Sequence, residues 1–550
     1  MSFRILLFTF LLCAIGSALH AQEFQYRTFT QADSLRGSLR AERTSTDIVF
    51  YDLAIDFNID EKRIVGSNSI HFRYDGSSKT VQLDLFDNLD IIKIESNGKE
   101  LRYERLFNAI FIDAGTFSTS EMNVMQVHYS GKPIIAKYAP WDGGFVWSED
   151  SEGNPWIAVA CEGTGASSWW PNKDHLYDEP DSMRMQFTVP SDLFCVSNGN
   201  LIETTHKKKK SSYTWMVSYP INNYNVTFNI AKYKQFSDYY ISKSGDSLLL
   251  DYYVLPENLE KAKEHFKQVP GVLEAFEHYF GAYPFWDDGY ALVETPYLGM
   301  EHQSAIAYGN KYMRGYLGGM IPPEMNWDYI IVHETGHEYF GNSISSNDHA
   351  EMWIHESFTT YMEALYVEYH FGYEQVERYL SFQRNHTNSE PIIGPLGVNY
   401  TEWNGSDMYF KGSWVLHTLR HVINNDELWF GLIKQFYQKF KFTNVESNDF
   451  FAFAKSYTHM DLDQFFEQYL YKADIPNLQY RIENGALENT LWFRWDADVN
   501  DFKMPFEIMV GEKTIRIDAS DAWQQIDFPH GEMQFLTNKF LMDLEEVQGE

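Results

Sequence analysis

Four residues in the middle of the chain, His333, Glu334, His337 and Glu356, restrict its architecture more tightly than anything else in the 550-residue sequence. Two histidines four apart share one face of a helix, so both imidazoles can reach one ion, and Glu334 stands beside it without ligating. The His-Glu-x-x-His triplet alone arises by chance in roughly one or two chains of this length per hundred. Glu356, 19 positions past His337 in Trp353-Ile-His-Glu-Ser-Phe-Thr-Thr-Tyr361, supplies the missing third ligand. Gly341-Asn342 is expected to stop the first helix and let a second run back across the metal. Three protein ligands leave zinc one open position, the catalytic arrangement, whereas a structural zinc takes four, usually with Cys. Glu363, two turns past Glu356 on the same face, is placed to hydrogen-bond a ligand histidine. His355 faces elsewhere and is expected to be structural. Gly336 weakens a helix by about 1 kcal/mol against Ala, which points to a closely packed neighbour.

The periodicity around this segment divides the chain. Short alternating runs such as Ile48–Phe57 and Asn223–Ile230, separated by Gly, Asn, Asp and Ser, predict antiparallel strands from about 47 to 255. From Pro256 to about 474 the apolar residues recur at helical spacing, with helices expected near 326–341, 352–371, 409–424, 426–440 and 462–472. Strand patterning returns in Leu491–Trp495 and Lys513–Asp518. The expected fold is α+β and multidomain: a β-domain over 22–255, a mostly helical zinc domain over 256–474 and a small C-terminal β-domain over 475–550.

Arg4, the apolar run from Ile5 to Ile15 and Ala21 before Gln22-Glu23 form a leader of the export type over residues 1–21. The run is too short to span a bilayer, and no other stretch approaches the length a membrane span needs. The expected product is exported, to the periplasm, the cell surface or beyond. With 44 Lys and Arg against 77 Asp and Glu the net charge is −33, which disfavours a nucleic-acid partner, since phosphates need a basic face. Beyond the leader only Cys161 and Cys195 remain; a bridge between them and two separate buried thiols are both open, but a disulfide scaffold is excluded.

The zinc segment with its flanks Phe340-Gly-Asn342 and Trp353-x-x-Glu356 resembles the signature of the aminopeptidase N and leukotriene hydrolase family of gluzincin metallopeptidases. The resemblance implies a β-saddle or sandwich N-terminal domain, a thermolysin-like catalytic domain and a C-terminal β-sandwich. It also implies one zinc per chain, Glu334 as general base, and peptide substrates with a free N-terminus. Tyr297-Leu-Gly299-Met300-Glu301-His302 is similar to the family's Gly-x-Met-Glu-Asn motif, with Leu298 in place of the first Gly and His302 in place of Asn. By that likeness Gly299 and Met300 line the substrate site and Glu301 binds the α-amino group. Cys161-Glu162-Gly163 offers Glu162 as a second amine contact. Met408-Tyr409-Phe-Lys-Gly412 is similar to the family's Tyr-x-Lys-Gly, 53 positions past Glu356, and implies that Tyr409 stabilises an oxyanion. Two other readings remain open on sequence grounds: a zinc hydrolase with relaxed N-terminal preference, and an exported binding protein with an inactive site.

Overall fold

The computed structural model describes residues 24–384, 388–403 and 405–548, so the leader expected at 1–21 lies outside the described residues. The order is β, helical, β. Sheets of eight, four and three strands occupy residues 46–231. Their strands bury every second residue, as in Thr46–Asn58, where Leu53, Ile55 and Phe57 point inward. Phe57 of the large sheet meets Phe228 of the four-stranded sheet at 4.6 Å between ring centroids, and Phe145 meets Phe228 at 4.8 Å, closing a sandwich core.

Two features of this region differ from the sequence expectation. The alternating run Asn223–Ile230 is not one strand: a short 3-10 turn over Asn223–Asn225 precedes the strand Phe228–Ala231. The Asn222 side chain accepts from the Asn225 amide at 3.1 Å, and this local bond competes successfully with strand pairing. Second, the hairpin Lys234–Ile241 and Ser247–Val254 does not join the sandwich. Ser247–Val254 runs parallel to Tyr290–Glu294, which pairs with Ile306–Tyr308, and the short strand Gly299–Met300 forms the edge. One five-stranded sheet therefore crosses the boundary expected at 255, and its edge strand carries the residues next to the zinc helix.

Helices Val269–Tyr279 and Tyr329–His337 pack on this sheet; Trp353–Phe371 packs on both of them and on Tyr373–Gln383 and Gly412–Ile423, while Asp426–Phe440 packs on Gly412–Ile423 and on Ser447–Thr458, and Asp463–Tyr471 reaches the strand Lys503–Val510. The strands from Asn477 to Glu546 form two small sheets whose inner faces bury Phe493, Trp495, Phe506 and Ile508. The Arg516 guanidinium ties this sandwich to the helical unit by donating to the carbonyls of His421 at 2.9 Å and Val422 at 2.8 Å. Among the described residues no helix is long and apolar enough to cross a membrane. Cys161 and Cys195 are both buried free thiols.

Candidate metal centre and substrate cleft

The helix Tyr329–His337 begins at Asp328, whose carboxylate accepts from the amides of Ile330 at 2.9 Å and Ile331 at 3.3 Å. It ends four residues earlier than the sequence expectation. The chain widens into a turn in which Asn342 donates to the carbonyl of His337 at 3.0 Å and Ser343 to that of Glu338 at 3.2 Å, with Gly341 at φ +127°. Gly336 has the close neighbour its presence suggested: a Cβ there would lie 3.0 Å from Thr359 Cγ2 on the helix Trp353–Phe371.

That contact sets the two helices so that three donor atoms converge. The Nε2 atoms of His333 and His337 lie 3.1 Å apart, and Glu356 Oε2 stands 3.5 and 3.4 Å from them. Zinc in a tetrahedral site, with bonds of about 2.0–2.2 Å, separates its ligand atoms by about 3.3–3.6 Å. The triangle is close to that size. Glu356 Oε2 is buried without a hydrogen-bond partner, an orphan that a cation satisfies. His333 Nδ1 meets Glu363 Oε1 at 2.6 Å, and His337 Nδ1 meets the Phe340 carbonyl at 3.0 Å. Both acceptors hold the proton on Nδ1 and leave the Nε2 lone pairs facing the metal position. Tyr379 and Gln383 donate to the other Glu363 oxygen, which keeps that carboxylate oriented. The donor set fits zinc, with His333, His337 and Glu356 as the holders.

Glu334 shares the cleft with a close cluster. One carboxylate oxygen each from Glu301 and Glu334 and a ring nitrogen of His337 lie within 4.8 Å of one another. Burial pushes the Glu334 carboxyl up to about 8; the His333 and His337 imidazoles oppose that push, and the Glu301 and Glu356 carboxylates add to it. For Glu356, burial acts upward, but the two imidazoles hold the carboxyl well below the usual carboxylate range. Glu301 is raised by burial, with His337 opposing and Glu356 adding. Glu162 lines the same cleft and is raised by burial and then by Glu301, Glu356 and Glu334. Four carboxyl groups thus face two imidazoles, and their mutual repulsion is relieved when a cation enters the cleft.

The strand Gly299–Met300 brings Gly299 against the zinc helix. A Cβ on Gly299 would stand 2.5 Å from Glu334 Oε1 and 2.7 Å from Ile330 Cγ2, so only glycine lets the strand approach this closely. Met300 and Leu298 also line the cleft. Past the end of the strand Glu301 still lines the cleft, whereas the His302 ring is fully buried, with neither nitrogen hydrogen-bonded among the described residues. Burial drops its pKa to about 3, so it sits as a neutral packing group.

Tyr409 lies in a π-type turn, Asp407–Lys411, just before the helix Gly412–Ile423. The expectation of a single helix over 409–424 thus resolves into two geometries. A Cβ on Gly412 would lie 1.8 Å from Ser357 Oγ, so glycine lets this turn seat on the helix that carries Glu356. Ser357 Oγ donates to the Met408 carbonyl at 2.6 Å, and the Tyr409 ring stands 6.2 Å from the His333 ring. Burial, then the Glu356 and Glu162 carboxylates, push the Tyr409 hydroxyl well above its usual pKa, so it stays a donor. Lys411 is buried, donating to the carbonyls of Lys472 at 3.0 Å and Ala473 at 2.6 Å.

Several supporting residues carry no local signal in the sequence. The Tyr224 hydroxyl donates to Glu301 Oε1 at 2.9 Å, and His355, structural as expected, stands 3.3 Å from that hydroxyl while accepting from the Ser346 amide at 2.8 Å. Asn342 Nδ2 donates to the Glu301 carbonyl at 2.7 Å. Only the flank Phe340-Gly-Asn342 hinted at Asn342. Nothing in the spacing of the chain connects Tyr224 to Glu301.

Residues 264–469 match the Peptidase family M1 domain. The chain is similar, at 22% identity over 84% of its length, to a probable aminopeptidase 2 from Sulfurisphaera tokodaii, covering 59% of that protein. It is 21% identical to a leucyl aminopeptidase from Saccharolobus solfataricus over 78% of this chain and 54% of the relative. Human glutamyl aminopeptidase is 22% identical over 78% of this chain and 47% of the relative. The chain thus spans a little over half the length of these archaeal relatives. Among solved structures, a two-domain M1 zinc metallopeptidase mutant bound to L-tryptophan superposes with a TM-score of 0.65 at 17% identity, covering 78% of this chain and 95% of that one. An M1 zinc metallopeptidase mutant from Deinococcus radiodurans bound to a Tyr-Ser-Ala substrate gives 0.64 at 16% identity, with the same coverage.

Proposed function

This chain belongs to the M1, aminopeptidase N-like family of gluzincin metallopeptidases, and we propose from this that it is an exported aminopeptidase with one zinc per chain, removing N-terminal residues from peptides. One observation carries the proposal: the Glu301 carboxylate lies within 4.8 Å of both Glu334 and His337. In a peptide the α-nitrogen and the carbonyl carbon of the same residue are two bonds apart, about 2.5 Å. An ammonium held by Glu301 therefore delivers the first peptide bond, and no later one, to Glu334. Glu162 gives the amine a second acceptor, and Met300 lines the space beside the first side chain.

Zinc held by His333, His337 and Glu356 would supply a Lewis acid that polarises the scissile carbonyl and lowers the pKa of a water towards about 7. Glu334 accepts the proton as that water's oxygen bonds to the carbonyl carbon. The carbonyl oxygen gains negative charge and takes a hydrogen bond from Tyr409. Glu334 then hands its proton to the departing nitrogen as the C–N bond breaks, which gives a free amino acid and a peptide one residue shorter. Glu363 and the Phe340 carbonyl keep both imidazoles in one tautomer throughout. The leader at 1–21 supports export.

Mass spectrometry of a mixed pentapeptide tests the proposal. The free peptide should shorten from its N-terminus in single-residue steps and its N-acetylated form should persist; internal cleavage of both would defeat it.

A further inference from the structure

Among the described residues no helix or strand forms between Gln383 and Asp407, so a long irregular segment leads into the turn that carries Tyr409. A segment of that length pays a large ordering entropy and keeps one conformation only where the rest of the molecule holds it. Here the holder is the start of the described chain: residues 24–38 lie across residues 391–402.

The contacts run the length of both segments. The Tyr26 hydroxyl donates to the Ile393 carbonyl at 3.3 Å, and Ser38 Oγ donates to the Gly397 carbonyl at 3.0 Å. Gly37 approaches Asn399 so closely that a Cβ on it would stand 2.1 Å from the Asn399 nitrogen. Tyr26 and Phe29 meet the buried Tyr400 ring edge-on at 5.4 and 6.3 Å, and Tyr400 meets Trp403 at 4.9 Å. Arg27 pairs with Glu402 at 2.8 Å, but both side chains are exposed and such a pair contributes little. The rings and the close backbone approach carry the hold. Residues 24–38 are themselves fixed to the N-terminal β-region, through Arg36 on Asp174 at 2.9 Å and the His175 ring on the Gly37 carbonyl at 3.0 Å.

The held segment borders the cleft groups on two sides. A Cβ on Gly163, beside Glu162, would stand 3.7 Å from Thr401 Cβ. Towards Tyr409, the Ser389 amide donates to Asp407 Oδ2 at 2.9 Å and the Gly405 amide to Glu390 Oε1 at 3.2 Å. The Ser406 carbonyl then accepts from the amides of Tyr409 at 3.0 Å and Phe410 at 2.8 Å, and Ser406, Tyr409 and Phe410 all line the cleft.

We infer that residues 24–38 are a strap that positions Tyr409: by fixing residues 391–402 they set where the phenol meets the carbonyl oxygen of the substrate. Tyr26 and Phe29 are positioning residues, since neither lines the cleft. The inference rests on the proposed hydrolysis, in which Tyr409 donates to the oxyanion.

The test is a double-mutant cycle on a free peptide. Tyr26→Ala with Phe29→Ala should lower kcat about tenfold, with KM and zinc content at the wild-type level, because a displaced catalytic group costs rate rather than ground-state binding. Made in Tyr409→Phe, the same pair of changes should cost less than about twofold more, since the group the strap positions is already gone. Phe29→Ala alone, the milder change, should show the same pattern with a loss of about threefold. Tyr26→Phe, which keeps the ring, should stay within about twofold of wild type. An unchanged kcat in both strap variants, or a loss that is undiminished in Tyr409→Phe, would overturn the strap while leaving the aminopeptidase reading intact. A wild type that releases no N-terminal residue from a free peptide would overturn both.

Discussion

The Tyr224 hydroxyl donates a 2.9 Å hydrogen bond to Glu301 Oε1, joining the N-terminal β-region to the edge strand of the catalytic unit. Both side chains are buried, so this bond helps fix the carboxylate that the proposed function assigns to a substrate ammonium. A hydrogen bond to a charged group contributes about 1.5–3 kcal/mol. Tyr224→Phe should therefore lower kcat/KM for free-amine peptides roughly tenfold to a hundredfold while zinc content stays at the wild-type level. A change of less than twofold would remove Tyr224 from amine recognition.

Glu334 lies outside the triangle of ligand atoms, so its role is separable from metal binding. Glu334→Gln should bind zinc as the wild type does, by elemental analysis of the purified protein, and lose activity by a factor of about 10² to 10⁴, the range for a positioned acid–base group. Activity within a few-fold of wild type would assign the base elsewhere.

Gly299→Ala places a methyl 2.5 Å from Glu334 Oε1. The strand or the carboxylate must shift, and a displacement of about 1 Å in a catalytic group is worth about a hundredfold in rate. The expected outcome is a fall of about that size in kcat with a thermal midpoint lowered by only a few degrees. A kcat equal to the wild type would contradict the contact.

His302 supplies a pH prediction. Burial lowers its pKa to about 3 in the folded chain, against about 6.5 when unfolded. Between those values the unfolded chain binds a proton that the folded chain does not, so this residue's effect is to reduce stability as pH falls from about 6.5 towards 3. At pH 5 the loss from this one residue is about 2 kcal/mol. His302→Asn cannot take up that proton. The loss of unfolding free energy between pH 7 and pH 5 should be smaller in the variant by about 2 kcal/mol, measured by urea titration. Identical losses in the two proteins would show that His302 is protonated when folded.

How far the sequence could be read depended on whether a feature is local. His333, His337 and Glu334 follow from helical spacing alone, and Glu356 and Glu363 from one further helix on a fixed offset. Glu301, Glu162 and Tyr409 were reachable only through resemblance, because a lone acid or phenol has no periodicity of its own. Tyr224, 77 positions from its partner Glu301, had no signal. Alternation around it predicts a strand, because a period of two does not register a side-chain cap such as that of Asn222. The Lys234–Val254 hairpin shows the same limit at the level of the fold: a period of two predicts strands but not which sheet they join, and parallel pairing to Tyr290–Glu294 is set by packing from both sides. His302 replaces an expected Asn, yet its ring is fully buried, so that departure bears on the core more than on the cleft.

In the proposed function, an amine anchor one residue from the base makes this site an aminopeptidase. The most direct measurement is the ratio of kcat/KM for a free peptide to that for its N-acetylated form, in the wild type and in Glu301→Gln. The wild type should favour the free peptide by about a hundredfold or more, and the variant, which lacks the charge that pairs with the ammonium, should lose at least about tenfold of that preference. The same ratio in both proteins would contradict the claim.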